Sequence, residues 1–154
     1  MFEEFKELLS IFNARNVRYL IVGGYAVSLY VQARTTQDID ILVASDGENA
    51  QAVYAALQDF GAPLQGLEAA DFARKGKFFR MGRAPFAVDI LPEIDGISFE
   101  QAWPNRAQTV IDEPAGLKAF FISREDLITN KLVSGRPQDI ADVAALREAG
   151  KRKD

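Results

Sequence analysis

The stretch Asp38-Ile39-Asp40-Ile41-Leu42-Val43 constrains the fold more than any other part of the chain. On an extended strand, side chains alternate between faces, so Asp38 and Asp40 share one face, roughly 7 Å apart, and Ile39, Ile41 and Val43 share the other. Two like charges on one face repel, and Thr or Lys at either position would make a more stable half-buried strand. A divalent cation between or beside the carboxylates is the simplest compensation. The alternative is a strand end at which both acids are solvated.

A chain of 154 residues with 48% apolar residues can bury a core of its own and has the size of one domain. It contains neither cysteine nor histidine. Disulfides, Cys/His zinc sites, Cys–His pairs and Ser–His–Asp triads are therefore excluded, and acid–base or metal chemistry falls to carboxylates, Lys, Arg or Tyr. The opening MFEEFKELL is acidic and amphipathic rather than a targeting signal, and no run reaches the roughly 18 apolar residues of a membrane span. The expectation is a soluble, cytoplasmic protein with no membrane partner. A formal net charge of −4 argues against nonspecific duplex binding, although Arg74, Lys75, Lys77, Arg80 and Arg83 form a local basic patch able to hold phosphates.

Phe5, Leu8, Leu9 and Phe12 follow helical spacing and predict an amphipathic helix ending near Asn13. Tyr19-Leu20-Ile21-Val22 predicts a strand stopped by Gly23-Gly24, with a buried helix over Tyr25 to Val31. The acidic strand follows, then a helix from Gly47 to Phe60 closed by Gly61, an arrangement that suits a parallel crossover. Residues 61–76 predict no regular element. Lys77 to Met81 and Phe86 to Leu91 predict a hairpin linked by Gly82-Arg83-Ala84-Pro85. A short segment around Phe99 to Trp103 precedes strands at Thr109 to Ile111 and Leu117 to Ile122. Ser123 predicts a helix cap, with Leu127, Ile128, Lys131 and Leu132 following. After the Gly135-Arg136-Pro137 break, Asp139 to Glu148 predicts a last helix with Ile140, Val143, Ala144 and Leu146 inward. The fold class is a single α/β domain, a mixed sheet with helices packed on it.

Three signals carry chemistry. Gly23-Gly24 lets a phosphate approach the backbone at the start of a helix, whose free N–H groups and dipole favour anions; a tight strand-to-helix turn would use the same residues. Asp89 is an acid inside the apolar strand Phe86 to Leu91, where an isolated charge costs several kcal/mol unless a metal or a neighbouring Arg pairs with it. Asp38 and Asp40 complete a set of three carboxylates on adjacent strands beside a phosphate-accepting turn. Such a set suits a divalent metal and a nucleoside triphosphate.

Gly23-Gly24, then Arg34-Thr35-Thr36-Gln37-Asp38-Ile39-Asp40-Ile41, and later Val88-Asp89-Ile90, resemble the signature of the DNA polymerase beta-like nucleotidyltransferase superfamily. Within it the chain resembles small bacterial single-domain nucleotidyltransferases, including relatives of the AbiEii-type toxins of toxin–antitoxin systems. The stretch holding Lys131-Leu132, Arg136-Pro137, Asp139 and Asp142 is similar to their closing helical segment.

The resemblance implies that Gly23 and Gly24 hold the triphosphate of an NTP such as ATP. It implies that Asp38, Asp40 and Asp89 ligate Mg²⁺ or Mn²⁺, and that Asp89 helps activate the acceptor hydroxyl. Lys131 and Arg136 become candidates to contact phosphate; otherwise Lys131 lies along the helix surface and Arg136 pairs with Asp139. Arg34 and Thr35 either meet the nucleotide or form a loop-to-strand junction. Tyr25 and Tyr30 are expected in the core. The acceptor stays open among tRNA, another protein and a small molecule, and a cognate antitoxin is a possible partner. A non-catalytic binding protein that keeps the scaffold is the alternative.

Overall fold

The computed structural model describes residues 1–31, 38–83 and 86–152. Helix α1 (Glu3–Ala14) buries Phe5, Leu8, Leu9 and Phe12, the stripe its spacing dictates. Strand β1 (Tyr19–Val22) is buried along its whole length. Helix α2 (Gly23–Tyr30) follows with no intervening loop. The glycine pair is thus the first turn of the helix rather than a link before it. Gly23 makes the abrupt change of direction possible because its φ of +64° lies in the left-handed region.

Strand β2 (Ile39–Val43) leads to α3 (Gly47–Phe60). This helix starts where the Asp46 side chain accepts from the Asn49 backbone N–H and stops at left-handed Gly61. A 3-10 helix over Ala69–Ala73 sits in the otherwise irregular stretch that follows. The expected hairpin forms from β3 (Phe79–Met81) and β4 (Val88–Leu91), both shorter than their apolar runs. The short helix α4 (Phe99–Ala102) precedes β5 (Ala107–Asp112) and β6 (Leu117–Phe121). The chain closes with α5 (Arg124–Ser134), capped by Ser123 as expected, and α6 (Pro137–Arg152).

The strands form one mixed sheet in the order β3-β4-β2-β1-β6-β5. The crossover through α3 does bring β4 parallel to β2, while β1 runs antiparallel to β2 and parallel to β6. Helices α1 and α3 pack together and on the sheet; α2, α5 and α6 form a second packed group. One continuous core includes Ile39, Ile41 and Val43 from the apolar face of β2. Tyr25 and Tyr30 are half-buried against it, and the Tyr30 hydroxyl donates to the Ile122 carbonyl.

The inward face of α6 differs from the apolar pattern. Ile140 is 60% exposed and Ala144 and Leu132 also face out, whereas Asp139, Asp142, Val143 and Leu146 are buried. The helix is rotated so that its acids reach a buried lysine on α5. Among the described residues, no helix is long and apolar enough to cross a membrane.

Candidate active site

Strand pairing places four residues in one row across the sheet. Val22 of β1 is the register partner of Asp40 on β2, Asp40 of Asp89 on β4, and Asp89 of Arg80 on β3. Partners on neighbouring strands share a face, so the sequence's two most anomalous acids stand side by side. Arg80 grips Asp89 through Nε at 2.7 Å and Nη2 at 2.9 Å, a two-pronged arrangement matched to a carboxylate. Asp89 therefore has the arginine partner that its burial calls for. Among the described residues, no cation pairs with Asp40 in this way. Burial, with the Asp89 carboxylate next in weight, pushes its carboxyl up to about 6.

Asp38 stands at the entrance to β2. Its Oδ1 accepts from the Ala87 backbone N–H at 2.8 Å, and its charge adds to the repulsion on Asp40. Gly23 closes the other side. A Cβ there would run into the Asp40 side chain, with Cγ only 3.2 Å away, so the helix start and the acid pair fit only because the residue is glycine. Gly24 lies in the same first turn, where its carbonyl accepts from the Ser28 hydroxyl.

These groups open onto a cavity of about 430 Å³ whose walls include Gly23, Asp40, Lys77, Phe78, Lys131 and Arg136. Five residues of the reading thus meet at or beside one space: Gly23, Asp40, Lys131 and Arg136 on its wall, and Asp89 behind Asp40. Arg34 and Thr35 lie outside the described residues.

Lys131 is neither on the surface nor free. It is 6% exposed, with Nζ 3.0 Å from Asp142 Oδ2 and 3.3 Å from Asp139 Oδ1. Arg136 pairs with Asp139 through Nε at 2.8 Å, while most of its side chain stays exposed. That arginine, through its hydrogen bond, holds the Asp139 carboxyl below the usual carboxylate range. The basic patch is partly neutralised: Arg74 and Lys77 both pair with Asp71, and Arg80 with Asp89.

Three residues that the sequence named without giving them a place in the site belong to it. Asp139 and Asp142 fell within the closing helical segment, Asp139 as a partner for Arg136, and only the buried lysine one helix earlier could have shown that both acids turn inward. Arg80 carried a usable signal, because hairpin alternation puts it on the same face as Asp89.

The acids suit a divalent metal in part. Among the described residues no three acidic side chains gather into a ready-made metal cluster. Asp40, however, offers a hard oxygen donor at the cavity, and Asp89 beside it keeps lone pairs on two oxygens that each also accept from Arg80. Mg²⁺ is commonly held by one or two carboxylates together with substrate phosphates and water rather than by an all-protein cage. A two-carboxylate platform beside the start of a helix, where anions are generally favoured, fits that donor set.

Residues 1–147 match the sequence profile of a family described as "Nucleotidyltransferase of unknown function (DUF6036)". No curated protein sequence matches the chain significantly. Several solved structures do. A solution structure of the antibiotic-resistance factor ANT(2'')-Ia superposes with a TM-score of 0.58 at 17% identity, over 98% of this chain and 83% of that one. The lincosamide antibiotic adenylyltransferase LnuA, bound to lincomycin, gives 0.55 at 18% identity, over 97% and 98%. An antigenic nucleotidyltransferase-like protein from Paracoccidioides brasiliensis gives 0.56 at 19%, over 92% and 72%. At such identities the likeness is one of fold.

Proposed function

Because the chain belongs to this nucleotidyltransferase family, we propose that it transfers a nucleoside monophosphate from an NTP to a hydroxyl acceptor and releases pyrophosphate. The observation that carries the reading is the Asp40–Asp89 pair, set in register beside Gly23 at the cavity wall. Two adjacent buried acids raise each other's energy, and a structural role alone would be served better by neutral residues.

The chain's groups divide the work. The first turn of α2, at Gly23 and Gly24, presents backbone N–H groups and the positive helix end to the triphosphate. Lys131 and Arg136 supply positive charge from another wall of the cavity, where it stabilises the negative charge gathering on the leaving pyrophosphate. The acceptor oxygen bonds to the α-phosphorus as the bond to the bridging oxygen breaks, and the hydroxyl proton passes to the Asp40–Asp89 pair through Asp40, the member on the cavity wall. Asp40 and Asp89, with Asp38 adding charge nearby, would hold Mg²⁺ or Mn²⁺. When bound, that ion supplies neutralisation of phosphate charge and activation of the hydroxyl.

A small hydroxylated molecule is the favoured acceptor over RNA or protein. The support is that proteins of this fold are seen with lincomycin and with adenylyl-2''-tobramycin. A toxin role with an antitoxin partner rests on the sequence resemblance alone. An NTP donor is in keeping with work in the cytoplasm.

The test incubates radiolabelled NTPs and Mg²⁺ with aminoglycosides, lincosamides, total RNA and cell protein in turn. Wild-type protein is expected to label one acceptor class. Asp40→Asn should lower transfer on the order of a hundredfold or more while keeping the fold. Equal turnover by the two proteins would remove the acid pair from the reaction. No labelling by wild-type protein across all classes would favour the non-catalytic scaffold.

A further inference from the structure

The corner between α5 and α6 contains more buried charge than joining two helices requires. Asp139 is 1% exposed and Asp142 is 4% exposed. Asp139 accepts from four donors. Its Oδ2 takes the Arg136 backbone N–H at 3.2 Å and Nε at 2.8 Å, and its Oδ1 takes Arg136 Nη2 at 3.4 Å and Lys131 Nζ at 3.3 Å. Asp142 holds the same ammonium from the other side and accepts from Gln138 Nε2 at 2.9 Å.

Stability alone does not account for this. A buried ion pair seldom outperforms a well-packed apolar contact, and an apolar residue was at hand: Ile140, next to Asp139, faces solvent. Rotating α6 to bury its acids gives up that isoleucine's burial. What the rotation achieves is the fixing of two cations on the wall of the cavity that also contains Gly23 and Asp40. Lys131 is held between two carboxylates and keeps one orientation. Arg136, which lines the cavity, is gripped along its Nε edge, and its Nη1 has no hydrogen-bond partner among the described residues.

We infer that Asp139 is a positioning residue for the triphosphate, acting through Arg136 and Lys131, which it holds at fixed points on the cavity wall. The inference rests on the proposed reading that this cavity takes an NTP. A guanidinium whose second edge is already bound to a carboxylate meets phosphate pre-oriented and loses less freedom on binding. Of the two cations, Asp139 binds both and Asp142 binds Lys131, so removal of Asp142 should matter less than that of Asp139.

The probe is inorganic tripolyphosphate without metal, followed by Mg·ATP, titrated calorimetrically into the full chain. Wild-type protein is expected to bind both. Asp139→Asn should weaken tripolyphosphate binding about tenfold or more, and Asp142→Asn by less. Arg136→Ala with Asp139→Asn should bind no worse than Arg136→Ala with Lys131→Ala, since the acid works through those two cations.

If Asp139→Asn lowers the melting temperature but leaves the affinity of the folded protein unchanged, the residue is only structural and the inference is overturned. If that variant does not fold, Asp139→Glu retains the charge and displaces the carboxylate by one methylene. It should show the same loss of affinity, and wild-type affinity would overturn the inference. Failure of wild-type protein to bind either probe would instead remove the proposed function on which the inference stands.

Discussion

Asp40 is where the cost of the site is concentrated, and its titration makes that cost measurable. Its folded carboxyl is pushed up to about 6 from an ordinary value of 3.8, so the folded chain binds this proton more tightly than the unfolded chain. Its contribution is fully present below about 3.8 and is lost as pH rises through 6. Asp46, Asp59, Asp71 and Asp139 shift downward and act in the opposite sense, so the comparison should be made between variants. Asp40→Asn imitates the protonated acid. Without metal it should be more stable than wild type at pH 7.5, on the order of 1–3 kcal/mol, and the advantage should shrink to near zero by about pH 4. Urea titrations at the two pH values check this, and an advantage independent of pH would contradict it. Arg80 acts on the same pair from the other side. Arg80→Ala leaves Asp89, whose side chain is 11% exposed, without its two-pronged partner. Stability at pH 7.5 should fall, because a buried carboxylate loses its guanidinium partner. A melting temperature unchanged at that pH would show that water already satisfies Asp89.

At the scale of elements, local chemistry made most of the chain legible. The α1 stripe, the Ser123 cap, the Gly61 stop and the β3–β4 hairpin each depend on residues within a turn or two of one another. What could not be read locally was set by contacts between distant elements. The face of α6 is one case: Ile140, Val143, Ala144 and Leu146 suit one helical face, but so do Asp139, Asp142, Val143 and Leu146, and Lys131 on α5 selects the second set, which keeps Val143 and Leu146 inward and turns Ile140 out. The start of α2 is another. Gly23 reads as a turn residue until the Asp40 side chain, from a neighbouring strand, is seen to fill the space a Cβ would take. Gly23→Ala should therefore harm the element twice. A left-handed φ costs an L-residue about 1–2 kcal/mol, and the new methyl would displace the Asp40 carboxylate. Lower thermal stability together with lost Mg·ATP binding is expected. Retained binding would separate the helix start from the phosphate site.

For the molecule as a whole, the strand order decides what the site can hold alone. Placing β2 between β1 and β4 puts Asp40 next to the start of α2, and Asp40, Gly23 and the Lys131 and Arg136 of the α5–α6 corner line one space. Neither half is complete. Two carboxylates that each give one oxygen leave four of the six positions around an octahedral Mg²⁺ to phosphate oxygens and water, and the cations of Lys131 and Arg136 have no anionic substrate of their own until a phosphate arrives. Ligands that bind only the folded chain raise its stability by mass action, by about 2.7 kcal/mol at a hundred times the dissociation constant. For a chain of this length that corresponds to a rise in melting temperature of roughly 5–10 °C. Mg²⁺ and ATP added together should produce a shift of this order, and each alone a much smaller one. Chelating the metal should return the protein to the ATP-only value. A full shift with Mg²⁺ alone would mean that the carboxylates make a complete cage without phosphate. A full shift with ATP alone would mean that the cationic wall and the helix start bind the nucleotide unaided, and that the acid pair serves something other than the metal.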